Sequence, residues 1–275
     1  MEETSYALGR SQAETERLEF QSRLLQPATD RLLRIAGLCP GMRVLDIGTG
    51  TGEVAALASE IVGPSGYVLG IDRNGSILEQ ARRKHGRRLG SSRIEFHPTS
   101  FLDLDRSAMF DAVVGRFVLT FQPDPANFLR EAAGHVGRGG TIAFLEPAAC
   151  RSNTSRSFPP VPLWDETVGR IIDAFLSGGT RPDQGFRLTE AFFHAGLPEP
   201  TLFCDPLMGS ANTSQIIDWA CMTMRSLLPI ILREEGARER DVAIEDLTQR
   251  LRAAASSAHS QLTFFSAVGA VTHVT

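Results

Sequence analysis

The stretch Val44-Leu45-Asp46-Ile47-Gly48-Thr49-Gly50-Thr51-Gly52-Glu53, continued by Val68-Leu69-Gly70-Ile71-Asp72, decides the fold. Val44, Leu45 and Ile47 form a short apolar run of the kind buried in a parallel sheet. Gly48, Gly50 and Gly52 follow at alternate positions. Glycine costs conformational entropy and buries no side chain, so three at a strand's carboxyl end argue for positive backbone dihedrals or a ligand touching backbone. A helix over Glu53 to Ile61 would aim its amino terminus at whatever lies on that loop. The second strand ends at Asp72, about 20 residues on, where an acidic residue can hold a ribose diol.

Two cofactors fit this strand, glycine loop, helix and strand. Gly50-Thr51-Gly52-Glu53-Val54-Ala55 satisfies the loose GxGxx[GA] pattern of nicotinamide dinucleotide sites. Asp46, two places before the first glycine, argues against it, because a carboxylate there repels a pyrophosphate. S-adenosylmethionine has no phosphate and presents an ammonium, a sulfonium and a ribose, which suit acidic or carbonyl neighbours. Val44 to Gly52 resembles the first motif of the class I S-adenosylmethionine-dependent methyltransferases, and Asp72 resembles their second acidic residue. The resemblance is specific from about Pro40 to Pro147 and loose outside it. It implies a Rossmann-like, seven-stranded, mostly parallel sheet with helices on both faces, extended by amino-terminal helices and helical lid insertions.

Working outward, the resemblance implies a division of the chain into residues 1–39 as an amino-terminal helical cap and 40–149 as the cofactor-binding core. Residues 150–184 read as an insertion or lid, 185–210 as a core helix and strand, 211–260 as a helical lid insertion, and 261–275 as the last core strand. The cap reads as helical from Ser11 to Gly37 with a break near Pro27. Helices are expected over Ser76 to Lys84, Asp124-Pro125 to Val136, Phe186 to Gly196, Ala211 to Leu232 and Ile244 to Ala258. Strands are expected at Arg93 to His97, Phe110 to Val114, Thr141 to Leu145, Thr201 to Met208 and Leu262 to Val271. Gly137-Arg138-Gly139-Gly140 reads as a turn into the fifth strand.

The resemblance also marks site residues. Asp46, Gly48, Thr49, Gly50, Gly52, Asp72 and the adjoining Arg73 are expected at the cofactor, joined by Tyr6 and Gln21 from the amino-terminal segment. Where similar enzymes carry an aspartate for the adenine amino group, this chain has Ser100, so adenine recognition shifts toward Phe101. Arg116, at the carboxyl end of the fourth strand, is placed to reach the cofactor's carboxylate; the alternative is a surface ion pair. Glu146 sits where related enzymes meet substrate and is a candidate general base, or a partner for a loop amide. His194 is a second candidate base, from a region that supplies one in some relatives. Trp164 and Phe121 are expected at the substrate, although an aromatic at helical spacing more often belongs to a core.

At 275 residues and 42% hydrophobic, the chain can bury a full core. A net charge of −4 and a pI near 5.9 lack the basic footprint of a nucleic-acid binder. The Asn-Pro-Pro-Tyr signature of relatives that methylate adenine or glutamine is missing after the fourth strand. Cys39, Cys150, Cys204 and Cys221 have neither zinc nor disulfide spacing, so no metal is expected. A polar amino terminus and the lack of a long apolar run predict a cytoplasmic protein without membrane contact. The long amino-terminal helix offers a surface for homo-oligomer formation. The function expected is methyl transfer from S-adenosylmethionine to oxygen, nitrogen or carbon of a small molecule, releasing S-adenosylhomocysteine. The alternatives are an NAD(P)-dependent oxidoreductase and a protein of this fold that binds S-adenosylmethionine without methylating.

Overall fold

The computed structural model describes residues 12–86, 93–105, 107–151, 156–235 and 246–274, so Tyr6 lies outside the described residues. Strands β1 (Arg43–Ile47), β2 (Tyr67–Asp72), β3 (Arg93–Pro98), β4 (Phe110–Arg116) and β5 (Val136–Ala148) pair in parallel, β1 lying between β2 and β4. The sheet order is β3-β2-β1-β4-β5-β8-β6, where β6 is Ser157–Phe158 and β8 is Gln261–His273; β7 (Thr201–Ser210) also pairs with β8. The chain winds outward from β1 to β3 and then resumes on the other side of β1 with β4. That reversal leaves a crevice beyond the carboxyl ends of β1 and β4, where open α/β sheets bind ligands.

Among the described residues the sheet has eight strands rather than the expected seven. The addition is β6, two residues of the 150–184 insertion that pair antiparallel with Gln261 and Leu262. So short a strand carries no periodicity to read. Three boundaries also differ from expectation. Helix α1 (Gln12–Ile35) runs unbroken through Pro27. Pro27 is exposed while Leu25, Ala28, Leu32 and Leu33 are buried, so the hydrogen bond it deletes lies on the watered side of the helix. The glycines from Gly137 to Gly140 lie inside β5, where the six residues from Val136 to Thr141 span what the three residues from Phe110 to Ala112 span on β4. Gly139, at φ 81°, absorbs the irregularity. The helix expected from Ala211 begins at Ile216, because β7 runs on to Ser210.

Two compact units share the chain. The core unit comprises Leu25–Glu146, Gln184–Cys204 and the residues from Val268 onward. Its helices are α2 (Glu53–Val62), α3 (Gly75–His85), α4 (Pro125–Ala133) and α6 (Leu188–Ala195), with the second half of α1. Val44, Leu45, Val68, Ala112, Val113, Val114, Ile142 and Phe144 are sealed from solvent, the burial on both faces that uninterrupted apolar strands require. Asp124 caps α4 by accepting from the Asn127 amide at 2.9 Å, with Pro125 at the first turn.

The helical unit holds residues up to Leu24, Pro147–Asp183 and Asp205–Ala267, including α5 (Pro162–Ser177), α7 (Ile216–Glu235) and α8 (Leu247–Ser257). Its centre is aromatic: Trp219 meets Phe264 edge to face at 5.1 Å between centroids, and Trp164 lies 5.9 Å from the same ring. Among the described residues no helix is long and apolar enough to cross a membrane, and no cluster of His, Cys, Asp or Glu is placed to hold a metal ion.

Candidate functional site

Within the core unit, the carboxyl end of β1 runs into a loop whose three glycines all have positive φ: 68° at Gly48, 53° at Gly50 and 83° at Gly52. A side chain at Gly48 would come within 2.9 Å of Val118, and one at Gly52 would strike Phe96 and His85, so these two are fixed by packing as well as by dihedral. Nothing lies within 4 Å of the equivalent position at Gly50, which makes it the open side of the loop. Asp72 shapes that side. Its Oδ2 accepts from the Gly50 amide at 3.1 Å and its Oδ1 from the Asn74 amide at 2.8 Å. The acidic residue at the end of β2 therefore stands against the glycine loop although it lies 22 positions further along the chain.

Asp46 is only 1% exposed, and neither carboxylate oxygen has a hydrogen-bond partner among the described residues. Burial pushes this carboxyl up to about 7, while the nearby Thr49 hydroxyl, the Arg116 guanidinium and the Ala55 amide pull it down without closing a bond. Thr49 is also buried, its hydroxyl without a hydrogen bond among the described residues. Arg116, at the end of β4, donates to Thr29 Oγ1 at 3.0 Å. Burial lowers it to about 10 against the attraction of Asp46 and Glu53. A buried carboxylate without donors is a costly arrangement unless a cation completes it. The site fits the ammonium of S-adenosylmethionine and disfavours a diphosphate.

Glu146, near the end of β5, is fully buried but has donors on both oxygens. Oε1 accepts from the Val118 and Leu119 amides at 3.0 and 2.8 Å, and Oε2 from the Thr120 amide at 3.1 Å. Burial pushes it up to about 7 and the three amides oppose that shift. These bonds tie down the loop after β4, where Phe117 sits at φ 56°, a left-handed conformation costly for an aromatic residue. Phe121 closes the short 3-10 turn that follows and is half-buried. Asp46, Gly48, Thr49, Gly50, Gly52, Asp72, Arg116, Glu146 and Phe121 thus all lie at the carboxyl ends of the core strands.

The remaining expected residues fall as follows. Ser100 caps the 3-10 turn after β3 by accepting from the Leu102 amide at 3.3 Å, and Phe101 is buried against Phe128 at 4.5 Å. Arg73 is exposed beside Asp72. Gln21 belongs to the helical unit, where its side-chain oxygen accepts from Arg17 at 2.9 Å. Arg17 in turn forms a buried ion pair with Glu14 at 2.7 Å. Trp164 is fully enclosed in that unit, its indole N–H donating to the carbonyls of Arg156 and Thr263. His194 is exposed on α6, and its carbonyl accepts from Arg130 in the last turn of α4. Because α4 runs back toward the amino ends of the strands, that contact places His194 at the end of the sheet away from the glycine loop.

Two residues escaped the sequence reading. His85, on α3, is 2% exposed with neither ring nitrogen hydrogen-bonded, and its Nε2 lies 3.4 Å from Glu53. Burial alone would raise Glu53, yet His85 and Lys84 beside it hold it down to about 2. Gln184, at the start of the turn before α6, is 1% exposed with both amide atoms unpartnered among the described residues. A lone amide or imidazole with no motif spacing gives no signal in sequence; only burial without partners singles these out.

Residues 38–168 match a family described as a methyltransferase domain. Over 168 residues the chain is 33% identical to aklanonic acid methyltransferase DauC of Streptomyces sp. (strain C5), covering 58% of this chain and 74% of that protein. It is 30% identical over 142 residues to the arsenite methyltransferase of Aquipseudomonas alcaligenes, covering 49% of this chain and 41% of that one. The match therefore spans less than half the length of the second relative. A solved structure of a SAM-dependent methyltransferase from Aquifex aeolicus shares the fold, with a TM-score of 0.51, 20% identity, and coverage of 72% of this chain and 93% of that chain.

Proposed function

The chain belongs to the class I S-adenosylmethionine-dependent methyltransferases, and on that premise we propose that it methylates a small-molecule acceptor held beyond the carboxyl ends of β1, β4 and β5. The observation that carries the reading is Asp46, a buried carboxylate with no hydrogen-bond donor among the described residues, beside a glycine loop whose open side is Gly50. In this reading Asp46 takes the cofactor's ammonium and Arg116 its carboxylate. Asp72 takes the ribose diol, and Ser100, Phe101 and Arg73 border the adenine. When bound, the cofactor supplies an electrophilic methyl group and leaves as S-adenosylhomocysteine. The chain's own part is to position the acceptor and keep water away.

Glu146 enters this mechanism as a positioning residue. A carboxylate that accepts three backbone amides and has no solvent face keeps Phe121 and the loop after β4 in place, and Phe121 borders the acceptor. His194 and Trp164 have no part in the proposed chemistry, the first because of its place on α6 and the second because its N–H is already bonded. Gln21 has none either, since Arg17 engages its amide oxygen. A small acceptor accords with the chain's negative charge and with the acceptors named in its relatives, aklanonic acid and arsenite. The proposal includes a cytoplasmic location.

Thermal unfolding with S-adenosylmethionine, S-adenosylhomocysteine, NAD and NADP tests the cofactor. A ligand at 100 times its dissociation constant stabilises by about 2.7 kcal/mol, and only the first two are expected to do so. Labelled methyl transfer to aklanonic acid, arsenite, phenols, amines and carbon acids then tests the acceptor class. Stabilisation by the dinucleotides alone, or transfer to none of these acceptors with S-adenosylmethionine bound, would overturn the proposal.

A further inference from the structure

We propose that Asp46 holds a proton when the cofactor is absent and releases it to solvent as the cofactor's ammonium docks, so that cofactor affinity rises with pH. This rests on the reading of the glycine loop as the S-adenosylmethionine site. The geometry leaves Asp46 few other choices. It is 1% exposed and no N–H or O–H among the described residues reaches either oxygen within hydrogen-bonding geometry. The charged groups around it are already engaged. Arg116, facing it from β4, donates to Thr29 and divides its attraction between Asp46 and Glu53. Glu53, at the start of α2, is paired with Lys84 at 2.6 Å and His85 at 3.4 Å. Asp72, from β2, adds a second negative charge while its oxygens accept the Gly50 and Asn74 amides.

An ionised carboxylate buried beside one shared cation and a second acid, with the Thr49 hydroxyl and the Ala55 amide near but outside hydrogen-bonding geometry, is poorly compensated, and the less costly form is the neutral acid. The upward shift of Asp46, with burial as its main cause and Asp72 contributing, points the same way. An ammonium at the carboxylate reverses the preference, since a charge-assisted bond favours the ionised form. The step balances: the acid and the ammonium become a carboxylate–ammonium pair, and one proton leaves to the buffer. The same linkage holds for product, which keeps the amino-acid tail.

Calorimetric titration of the full chain with S-adenosylhomocysteine, in two buffers of different ionisation enthalpy, counts the protons. At about pH 6 we expect release approaching one proton per ligand, with affinity falling about tenfold per pH unit below that, and almost no release at about pH 8.5. The control is 5′-methylthioadenosine, which has the adenosine and sulfur but no ammonium; its binding is expected to release no proton and to be flat with pH. Asp46→Asn is expected to abolish both the release and the pH slope for S-adenosylhomocysteine. Should that variant not fold, the contrast between the two ligands on the native chain decides alone. Equal proton counts for both ligands, or undiminished release by Asp46→Asn, would overturn the linkage and leave the cofactor site standing. Failure of either ligand to bind at any pH would overturn both.

Discussion

The tips of β1 and β5 each bury a carboxylate almost completely, and burial pushes each up to about 7. At β5, Glu146 accepts three amides from the loop after β4; at β1, Asp46 accepts none among the described residues. The same side-chain chemistry in the same sheet therefore does two different jobs. A buried acid whose lone pairs are filled by the chain is part of the chain's own architecture. One left empty beside an open glycine loop is a receptor for something outside the chain.

The comparison can be broken most forcefully at Glu146. Glu146→Ala would strand three buried amides, each worth about 1–3 kcal/mol, so a loss of about 3 kcal/mol or more is expected. For a chain of 275 residues that corresponds to a fall of about 5 °C in thermal midpoint. Wild-type stability in the variant, by denaturant or thermal unfolding, would show that the three bonds are idle.

Asp46→Asn is expected to do the reverse, leaving the apo protein at least as stable while weakening S-adenosylmethionine binding by about tenfold or more. It should also change the pH dependence. Because the folded Asp46 carboxyl sits at about 7 against 3.8 for a free aspartate side chain, the folded state holds a proton that the unfolded chain releases. Its contribution is fully present below the lower value and is lost as pH rises through about 7. A wild-type minus variant stability profile that is flat across this window would remove the distinction between the two acids.

Two smaller effects sharpen it. Asp72→Asn keeps only one of the two oxygens that accept the Gly50 and Asn74 amides and removes charge from the ribose contact, with an expected loss of about tenfold in cofactor affinity and about 1 kcal/mol in stability. Unchanged affinity would exclude the ribose role. Gln184→Met replaces an unpartnered buried amide by an apolar side chain of similar length and should stabilise the apo chain by about 1 kcal/mol. Destabilisation would mean that the amide has a partner in solution.

What could be read from sequence follows the range of the forces involved. The path from Val44 to Asp72 was legible because a run of buried strand residues, three glycines and a terminal acid are all local signals, and β1, α2 and β2 lie within a residue or two of where they were expected. Pro27 was misjudged because its cost depends on which side of α1 meets water, a tertiary fact. Gly137 to Gly140 looks the same whether it ends a strand or bulges inside one; the pairing with β4 and the Gly139 contact to Val274 decide it. Glu146 was visible and a loop amide was one of its expected partners, but which amides and how many were not, since they lie about 26 to 28 positions away and leave no mark on composition.

The most direct measurement is a crystal structure with S-adenosylhomocysteine bound. The ammonium nitrogen should lie about 2.7–2.9 Å from a carboxylate oxygen of Asp46, with the ribose hydroxyls on Asp72 and the adenine beside Phe101. An amino-acid tail turned away from Asp46, or a dinucleotide binding in its place with its diphosphate over Gly50, would contradict the assignment.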